Sequence, residues 1–217
     1  MGISMPSVSS VVYFCGFAAM NPAQLLAHFD RIAEAPDAVP RMRRFILDLA
    51  VRGKLVEQDS DDEPAAELLK RIQAEKVRLI LTGAAKKEKS RPPLPDGEPF
   101  RIPENWRWSQ VAEIGFINPR NSAEDGLPAS FVPMTLIPAD YGTSSTWEVR
   151  PWGEIKSGFT HFANGDVVLA KITPCFQNGK STVFRGLSNA IGAGTTELHV
   201  VRPVFANPDY LLVFFKC

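Results

Sequence analysis

The pattern of hydrophobic and polar residues changes near residue 95. Before that point, apolar residues recur every three or four positions, which is the period of an amphipathic helix. After it, short apolar or alternating runs are separated by glycine and proline, which is typical of strands joined by turns. Residues 86–95 are charged and then proline-rich, which predicts a solvated linker. The pattern therefore predicts an α+β protein, with a helical region followed by a mixed α/β, strand-rich domain.

Three helices are predicted in the first part, each from a start signal and a stop signal. They run from Asn21-Pro22 to Pro36, from Pro40 to about Val51 ahead of Gly53, and from Asp62-Glu63-Pro64 to about Leu81 ahead of Gly83. In the third helix Lys76 interrupts an apolar seam. Glu67 and Arg71 are spaced to form an ion pair on its solvated face.

The second part contains three predicted strands bounded by turn residues. The strands cover residues 131–137, 166–172 and 197–202, and the apolar residues 210–215 predict either the start of a helix or a last strand. Asn164-Gly165, ahead of the second strand, is a hairpin-type turn signal. Residues 207–210 are similar to an adenine methyltransferase motif and to a phosphotyrosine-domain ligand, but a turn that starts an element is the preferred interpretation.

Composition sharpens this division and narrows the function classes. Of the 15 glycines and 21 aromatic residues, 11 and 16 follow residue 96. Lys plus Arg and Asp plus Glu both number 24, so the net charge is zero, which excludes a domain that is basic overall. Three cysteines and three histidines are scattered along the chain. We therefore expect no local zinc cluster and no disulfide framework, which favours a reducing compartment.

The start of the chain favours a cytoplasmic protein without a membrane span. The longest apolar stretch there, Val11 to Met20, has 10 residues, whereas a transmembrane helix needs about 18. Residues 1–19 contain no Lys or Arg, so the charged part of a secretory signal is missing. Translation can begin at Met1 or at Met20. We favour Met20, with residues 1–19 as an upstream extension, because the patterned sequence begins directly after it.

Catalysis by this chain rests on one weak candidate. Cys175 is a potential nucleophile, with His161 and His199 as bases if the fold brings them together. A cysteine nucleophile needs a base within hydrogen-bond reach and an activating environment, and the sequence shows neither. A cysteine beside a phenylalanine is usually a small buried residue. A stand-alone enzyme using Cys175 is therefore the less favoured alternative.

The richest polar stretch follows the second predicted strand. Residues 171–180 hold two lysines, hydroxyl groups and an adjacent glutamine and asparagine. Lysines and hydroxyls can contact phosphates, while Gln or Asn can pair bidentately with adenine. Residues 192–197 could line the same surface, and their glycines would let backbone approach a ligand or serve a turn. From these residues alone, a plain polar hairpin loop is favoured over a DNA contact.

Three blocks of the sequence change that balance. They are residues 40–56 (PRMRRFILDLAVRGKLV) followed by 63–69 (EPAAELL), residues 103–108 (PENWRW), and residues 165–180 (GDVVLAKITPCFQNGK). In this order they resemble the specificity subunits of type I restriction-modification systems. The resemblance extends from about Met20 to the end of the chain. It implies a helical assembly region at residues 20–91 and a first target-recognition domain at residues 92–217.

The resemblance implies sequence-specific recognition of double-stranded DNA without catalysis or a bound cofactor. Modification subunits would bring S-adenosylmethionine and methylate adenine, and restriction subunits would use ATP and Mg²⁺. These partners can then supply many of the contacts to DNA phosphates, so the zero net charge of this chain is compatible with DNA binding. Lys171 and Lys180 would hold phosphates or guanine, and Thr173, Gln177 and Asn178 would contact base edges or backbone. Thr195 and Thr196 complete the set of expected DNA contacts.

The sequence departs from the family pattern in two ways. Position 177 is Gln where the pattern has Glu, which changes an acceptor into a donor and acceptor. The chain is also about half the family length, so we expect residues 92–217 to be an incomplete first recognition domain. A truncation product that only binds partners, or has no function, is therefore the rival interpretation.

Overall fold

The computed structural model describes residues 26–27, 36–87, 97–140 and 145–216. The predicted extension at residues 1–19 lies outside the described residues, as does the first predicted helix except for residues 26–27. The described elements are α1 (Ala38–Val51), α2 (Ala65–Leu81), α3 (Val111–Ile114), β1 (Gly115–Ile117), β2 (Pro128–Val132), β3 (Glu148–Pro151), α4 (Trp152–Ile155), β4 (Thr160–Ala163), β5 (Val167–Ala170), β6 (Ser181–Val183), β7 (Ile191–Gly194), β8 (Leu198–Pro203) and α5 (Pro208–Lys216). The predicted α+β class is confirmed.

Helix α1 ends where the sequence predicts. Gly53 has a φ of +66°, which a glycine adopts without the steric cost that other residues meet. The N–H of Gly53 donates to the carbonyl of Ala50 (3.1 Å), and that of Lys54 donates to the carbonyl of Leu49 (2.8 Å). These bonds satisfy carbonyls that the last helical turn leaves open. The helix starts two residues before Pro40, which therefore lies in its first turn.

Helix α2 covers the predicted range, and Lys76, the polar residue that interrupts its apolar seam, is buried. Lys76 is only 7% exposed, and its ammonium donates to the carbonyls of Ala112 and, at 2.7 Å, Gly115. The ammonium also lies 4.8 Å from the centre of the Phe116 ring. Lys76 therefore tethers α2 to the start of β1, and Ile72, which is fully buried, packs beside it against Phe116.

The prediction that Glu67 and Arg71 form an ion pair on the outer face of α2 is wrong. Glu67 pairs with Lys70 (2.7 Å), and Arg71 pairs with Glu63 (2.7 Å) ahead of the helix. Both alternatives were within reach on an exposed surface, where such pairs differ little in energy. Spacing alone therefore could not select the partner.

We expect the Lys76→Met variant to lose about 1–3 kcal/mol of unfolding free energy. Methionine retains an apolar stem, but the carbonyls of Ala112 and Gly115 lose their charged donor, and an unsatisfied buried acceptor costs about that much. Urea unfolding of the purified chain measures the loss. Lys70→Met is the matched control, because its exposed pair with Glu67 contributes less than about 1 kcal/mol. Equal losses in the two variants would contradict the tether.

Two four-stranded sheets form the strand-rich part. The first has the order β1-β8-β5-β6 and is antiparallel throughout. The second has the order β3-β2-β7-β4 and contains one parallel pair, β2 with β7. Side chains from both sheets meet in a shared core, where the rings of Phe162 and Phe184 stack with centres 4.1 Å apart. Helix α5 covers the first sheet through Leu211.

The Asn164-Gly165 turn does not form the predicted hairpin. It joins β4 in the second sheet to β5 in the first, although Gly165 has the expected positive φ of 86°. The side-chain carbonyl of Asn164 accepts a bond from Leu187 N–H (3.0 Å), and Gly165 N–H donates to Phe184 O (2.8 Å). The turn signal was correct, but the two strands that it joins do not pair with each other: β4 pairs with β7, and β5 pairs with β6 and β8.

The predicted strand boundaries need one further correction. The strand expected at residues 131–137 is β2, which ends at Val132, and residues 134–136 form a 3₁₀ turn. Pro133 has no N–H to continue the ladder. The strands expected at 166–172 and 197–202 correspond to β5 and β8. Residues 210–215 are helical, and Asn207 caps α5 through its side-chain oxygen, which accepts from Asp209 N–H at 2.8 Å.

The glycines of residues 192–197 lie in a strand and not in a turn. Gly192 lies within β7, and a Cβ there would stand 2.5 Å from both the Ser130 carbonyl oxygen and the Phe162 ring. A Cβ at Gly194 would likewise meet the Val132 carbonyl oxygen. Glycine is needed at these positions because β2 and the core approach β7 closely.

Candidate nucleic-acid interface

Residues 171–180 form the loop between the antiparallel strands β5 and β6. The loop is closed by its own backbone bonds: Phe176 N–H donates to Ile172 O (2.8 Å), and Asn178 N–H donates to Pro174 O (2.9 Å). Lys180 N–H also donates to Cys175 O (3.1 Å). The prediction of a polar hairpin loop is therefore confirmed, and whether the loop contacts DNA is a separate question.

Two lysines fix the position of this loop through hydrogen bonds to backbone carbonyls. The ammonium of Lys180 donates to the carbonyl of Met134 (2.9 Å). The ammonium of Lys216, at the end of α5, donates to the carbonyls of Ala139 (2.8 Å) and Gly179 (2.7 Å). Burial lowers the pKa of Lys216. Lys180 is thus engaged by the protein itself, and Lys216 is a loop-positioning residue that the sequence did not single out.

The remaining loop residues of the predicted set face outward. Thr173, Gln177 and Asn178 are exposed. Lys171 is exposed too, and its backbone N–H donates to the Glu197 carbonyl (3.0 Å) while its ammonium lies 3.9 Å from the Glu197 carboxylate. These positions allow contact with a large ligand without any rearrangement of the backbone.

The predicted hydroxyls at residues 195 and 196 lie beside Lys171. The hydroxyl of Thr195 accepts from Glu197 N–H (3.2 Å), which fixes the turn before β8. Thr196 is exposed, with its hydroxyl 3.4 Å from the Glu197 carboxylate. The fold therefore brings Lys171 and Thr196 together, while Thr195 serves mainly the turn.

Lys171 and Thr196 line a cavity of about 210 Å³. The other lining residues are Asn118, Pro119, Arg120, Thr160, His161, Leu198 and His199. Arg120 was not predicted from the sequence, and the two histidines were predicted only as bases for Cys175. A basic residue after Asn118-Pro119 was the available signal, but nothing local showed that this segment folds beside the 171–180 loop.

Arg120 and His161 are held in one small hydrogen-bonded group. Asn121 N–H donates to Nδ1 of His161 (3.0 Å), so the proton sits on Nε2, which lies 2.9 Å from the Lys156 carbonyl. Nη1 of Arg120 donates to the Phe159 carbonyl (3.1 Å) and lies 3.2 Å from His161 Nε2.

The positive charge of the cavity is carried by two of its lining residues. Burial lowers the pKa of His161, and the charge of Arg120 acts in the same direction, against hydrogen bonds to backbone groups of Lys156 and Asn121. Burial also lowers the pKa of His199, reinforced by Lys171. Both imidazoles are therefore neutral at pH 7, and the cationic side chains of the cavity are Arg120 and Lys171.

A buried ion pair fixes the segment that carries Arg120. Arg202 on β8 donates to both carboxylate oxygens of Asp166, each at 2.8 Å, and to the side-chain oxygen of Asn121 at 3.0 Å. Asn121 in turn donates to the Phe162 carbonyl (2.7 Å). Burial raises the pKa of Asp166, whereas Arg202 lowers it. This network joins residues 120–121 to both sheets.

The geometry gives no support to catalysis by Cys175. Within the described part of the chain, no hydrogen bond joins its thiol to a histidine, and both ring nitrogens of His161 are engaged by backbone groups. Among these same residues no group of three potential ligands could hold a metal ion. No helix found among them is both long and apolar enough to cross a membrane.

Comparison with known proteins places the chain in a family. It is 50% identical over 182 residues to the EcoAI specificity subunit of a type I restriction enzyme from Escherichia coli, and 49% identical over 185 residues to the EcoEI specificity subunit from the same species. Each match covers 82% of this chain. The chain belongs with the type I restriction specificity subunits. The resemblance carried by the three sequence blocks is thereby confirmed.

The match is to one part of these subunits. The chain spans 31% of the length of the two curated relatives. No family model matches it. Two solved structures show a weaker likeness, and each match covers 89% of this chain and 38% of the solved chain. One is a chain of a type I R-M system studied for complex assembly and conformational transition, with 17% identity and a TM-score of 0.38. The other is the HsdS subunit from Thermoanaerobacter tengcongensis, with 18% identity and a TM-score of 0.37.

Proposed function

We propose that this chain recognises a specific sequence in double-stranded DNA as part of a type I restriction-modification complex and catalyses no reaction itself. The observation that carries the proposal is the 50% identity to a type I specificity subunit over 82% of the chain. The exposed loop residues and the cationic cavity beside them supply donors for phosphates and for base edges, which is what such a function requires.

The DNA-facing surface comprises the 171–180 loop and the cavity at its base. Lys171 and Arg120 contact phosphates, since both are cationic and exposed. Thr173, Gln177 and Asn178 contact base edges, with Thr196 as a further hydroxyl beside Lys171. Lys180 contributes by holding the loop, because its ammonium is bound to the Met134 carbonyl.

The helical region docks modification subunits. Helix α1 supports this role, because two of its apolar side chains are exposed: Val39 is 66% exposed and Ile46 is 42% exposed. Together with Met42 they line a groove of about 310 Å³, and exposed apolar surface of this kind marks interaction sites. In the cytoplasm, the modification subunits supply S-adenosylmethionine, and restriction subunits supply ATP and Mg²⁺.

Co-expression with a cognate modification subunit tests the proposal. We expect a complex that co-purifies and methylates adenine in one defined DNA motif, read from a map of methylated positions. A complex that forms but methylates no motif would assign only docking to the chain. The absence of any complex would contradict the proposal and favour a truncation product without function.

Removing either cavity cation is expected to weaken DNA binding without changing sequence preference. Arg120→Gln and Lys171→Gln should each weaken binding roughly tenfold, because a charge-assisted hydrogen bond contributes about 1.5 kcal/mol. Each variant should also make the slope of log K against log salt shallower by about 0.9. Fluorescence anisotropy of the assembled complex on target and non-target duplexes measures both quantities.

Arg185→Gln is the matched control for these two variants. Arg185 follows β6 at the end of the β5–β6 hairpin opposite the loop, and its exposed guanidinium pairs with Asp209 (2.8 Å). It should leave the affinity and the salt dependence unchanged. A salt slope that stays constant in Arg120→Gln and Lys171→Gln would remove the cavity from the DNA-facing surface.

A further inference from the structure

The 171–180 loop exposes two large apolar side chains among its polar ones. Phe176 is 48% exposed and Ile172 is 39% exposed. The two residues are joined by the hydrogen bond from Phe176 N–H to Ile172 O (2.8 Å), so they belong to one turn. We propose that Phe176, backed by Ile172, is an apolar wedge that enters between base pairs of the bound duplex. This inference rests on the proposed function and adds a contact that hydrogen bonding does not provide.

Hydrogen bonds to the rest of the protein fix the base of the loop that carries Phe176. Lys216 binds the Gly179 carbonyl (2.7 Å) and Lys180 binds the Met134 carbonyl (2.9 Å), so the base of the loop is fixed to α5 and to the segment after β2. Ser181 N–H adds a bond to the Pro138 carbonyl (3.1 Å). Because the loop is fixed at its base, it loses little conformational freedom on binding.

The charge of the loop indicates which ligand the wedge meets. Residues 171–180 contain two lysines and no carboxylate. Lys171 stands directly before Ile172, and the amides of Gln177 and Asn178 follow Phe176. These side chains match what a DNA duplex presents. The cation can contact a phosphate, the amides can contact base edges, and the apolar side chain between them can contact the faces of the bases. Phenylalanine and isoleucine are side chains that proteins insert between base steps.

The wedge also has a consequence for target choice. Inserting a side chain unstacks a base step, and pyrimidine–purine steps unstack and kink most easily. The loop therefore selects DNA by deformability at the step it enters, in addition to the base edges that Gln177 and Asn178 contact. Removing the ring should relax this selection while leaving the phosphate contacts of Lys171 in place.

The test compares Phe176→Ala with Phe176→Leu in the complex with the modification subunit. The probe is a duplex containing the methylated motif, with 2-aminopurine substituted at successive positions and a dye at each end. We expect wild type to raise 2-aminopurine fluorescence at one step and to shorten the end-to-end distance. Phe176→Ala should lose both signals and bind at least about tenfold more weakly, whereas Phe176→Leu should retain most of each, since leucine also serves as a wedge.

Phe205→Ala is the matched control, because Phe205 is 57% exposed and lies beside Arg71 of α2, away from the loop. It should behave as wild type, and all variants should share one urea midpoint. If wild type binds DNA and Phe176→Ala gives the same affinity and signals, the wedge is overturned while the proposed function stands. If Phe176→Ala instead no longer co-purifies with the modification subunit, Phe176 is a contact to that subunit, and the wedge is also overturned. Failure of wild type to bind DNA overturns the proposed function and the wedge with it.

Discussion

Replacing Arg202 by methionine is expected to lower the free energy of unfolding by about 3–5 kcal/mol. Its guanidinium is the charged partner of Asp166, whose carboxylate is 1% exposed, and two hydrogen bonds of 2.8 Å join them. Methionine preserves the apolar stem but leaves the Asp166 carboxylate buried without its cation. The loss should appear as a lower urea midpoint with an unchanged slope.

The reference for this variant is Arg185→Met. Arg185 pairs with Asp209 at the same distance of 2.8 Å, but both side chains are more than half exposed, and such a pair contributes at most about 1 kcal/mol. The double variant Asp166→Leu/Arg202→Met should recover much of the loss, because it removes the stranded charge. Similar losses for Arg202→Met and Arg185→Met would show that burial does not determine the energy of these pairs.

Removing the ring of Phe162 is expected to cost about 3–5 kcal/mol of unfolding free energy. Phe162 is fully buried on β4 and stacks on Phe184, with ring centres 4.1 Å apart. It also belongs to the core cluster that contains Val168 and Leu198 of the facing sheet. The Phe162→Ala variant opens a cavity between two sheets whose backbones are hydrogen-bonded within each sheet and cannot close the gap fully.

Urea unfolding of Phe162→Ala beside Phe205→Ala measures this effect. The Phe205 ring is 57% exposed, so its removal should change the free energy of unfolding by less than about 1 kcal/mol. A loss below about 2 kcal/mol for Phe162→Ala would mean that the two sheets collapse around the missing ring. That result would contradict a core shared by both sheets.

The proposed DNA-facing surface could be predicted from the sequence only in part. Lys171, Thr173, Gln177 and Asn178 were singled out because a polar run follows a buried strand, and strand and loop are neighbours in sequence. Arg120 was missed, because it lies about fifty residues before the loop and reaches the cavity only through the network of Asn121, Asp166 and Arg202. Lys180 was predicted to hold a ligand, and the fold shows that it holds the loop.

The sequence by itself determined the local elements and the family. Gly53 ended α1 and Asn207 with Pro208 started α5, because capping and φ preferences act within a few residues. Only the tertiary structure decided that the Asn164-Gly165 turn crosses between sheets and that Lys76 lies inside. It also decided that Gly192 lies against a neighbouring strand. Each of these outcomes depends on a partner more than thirty residues away or on the opposite sheet, and no local preference encodes such a partner.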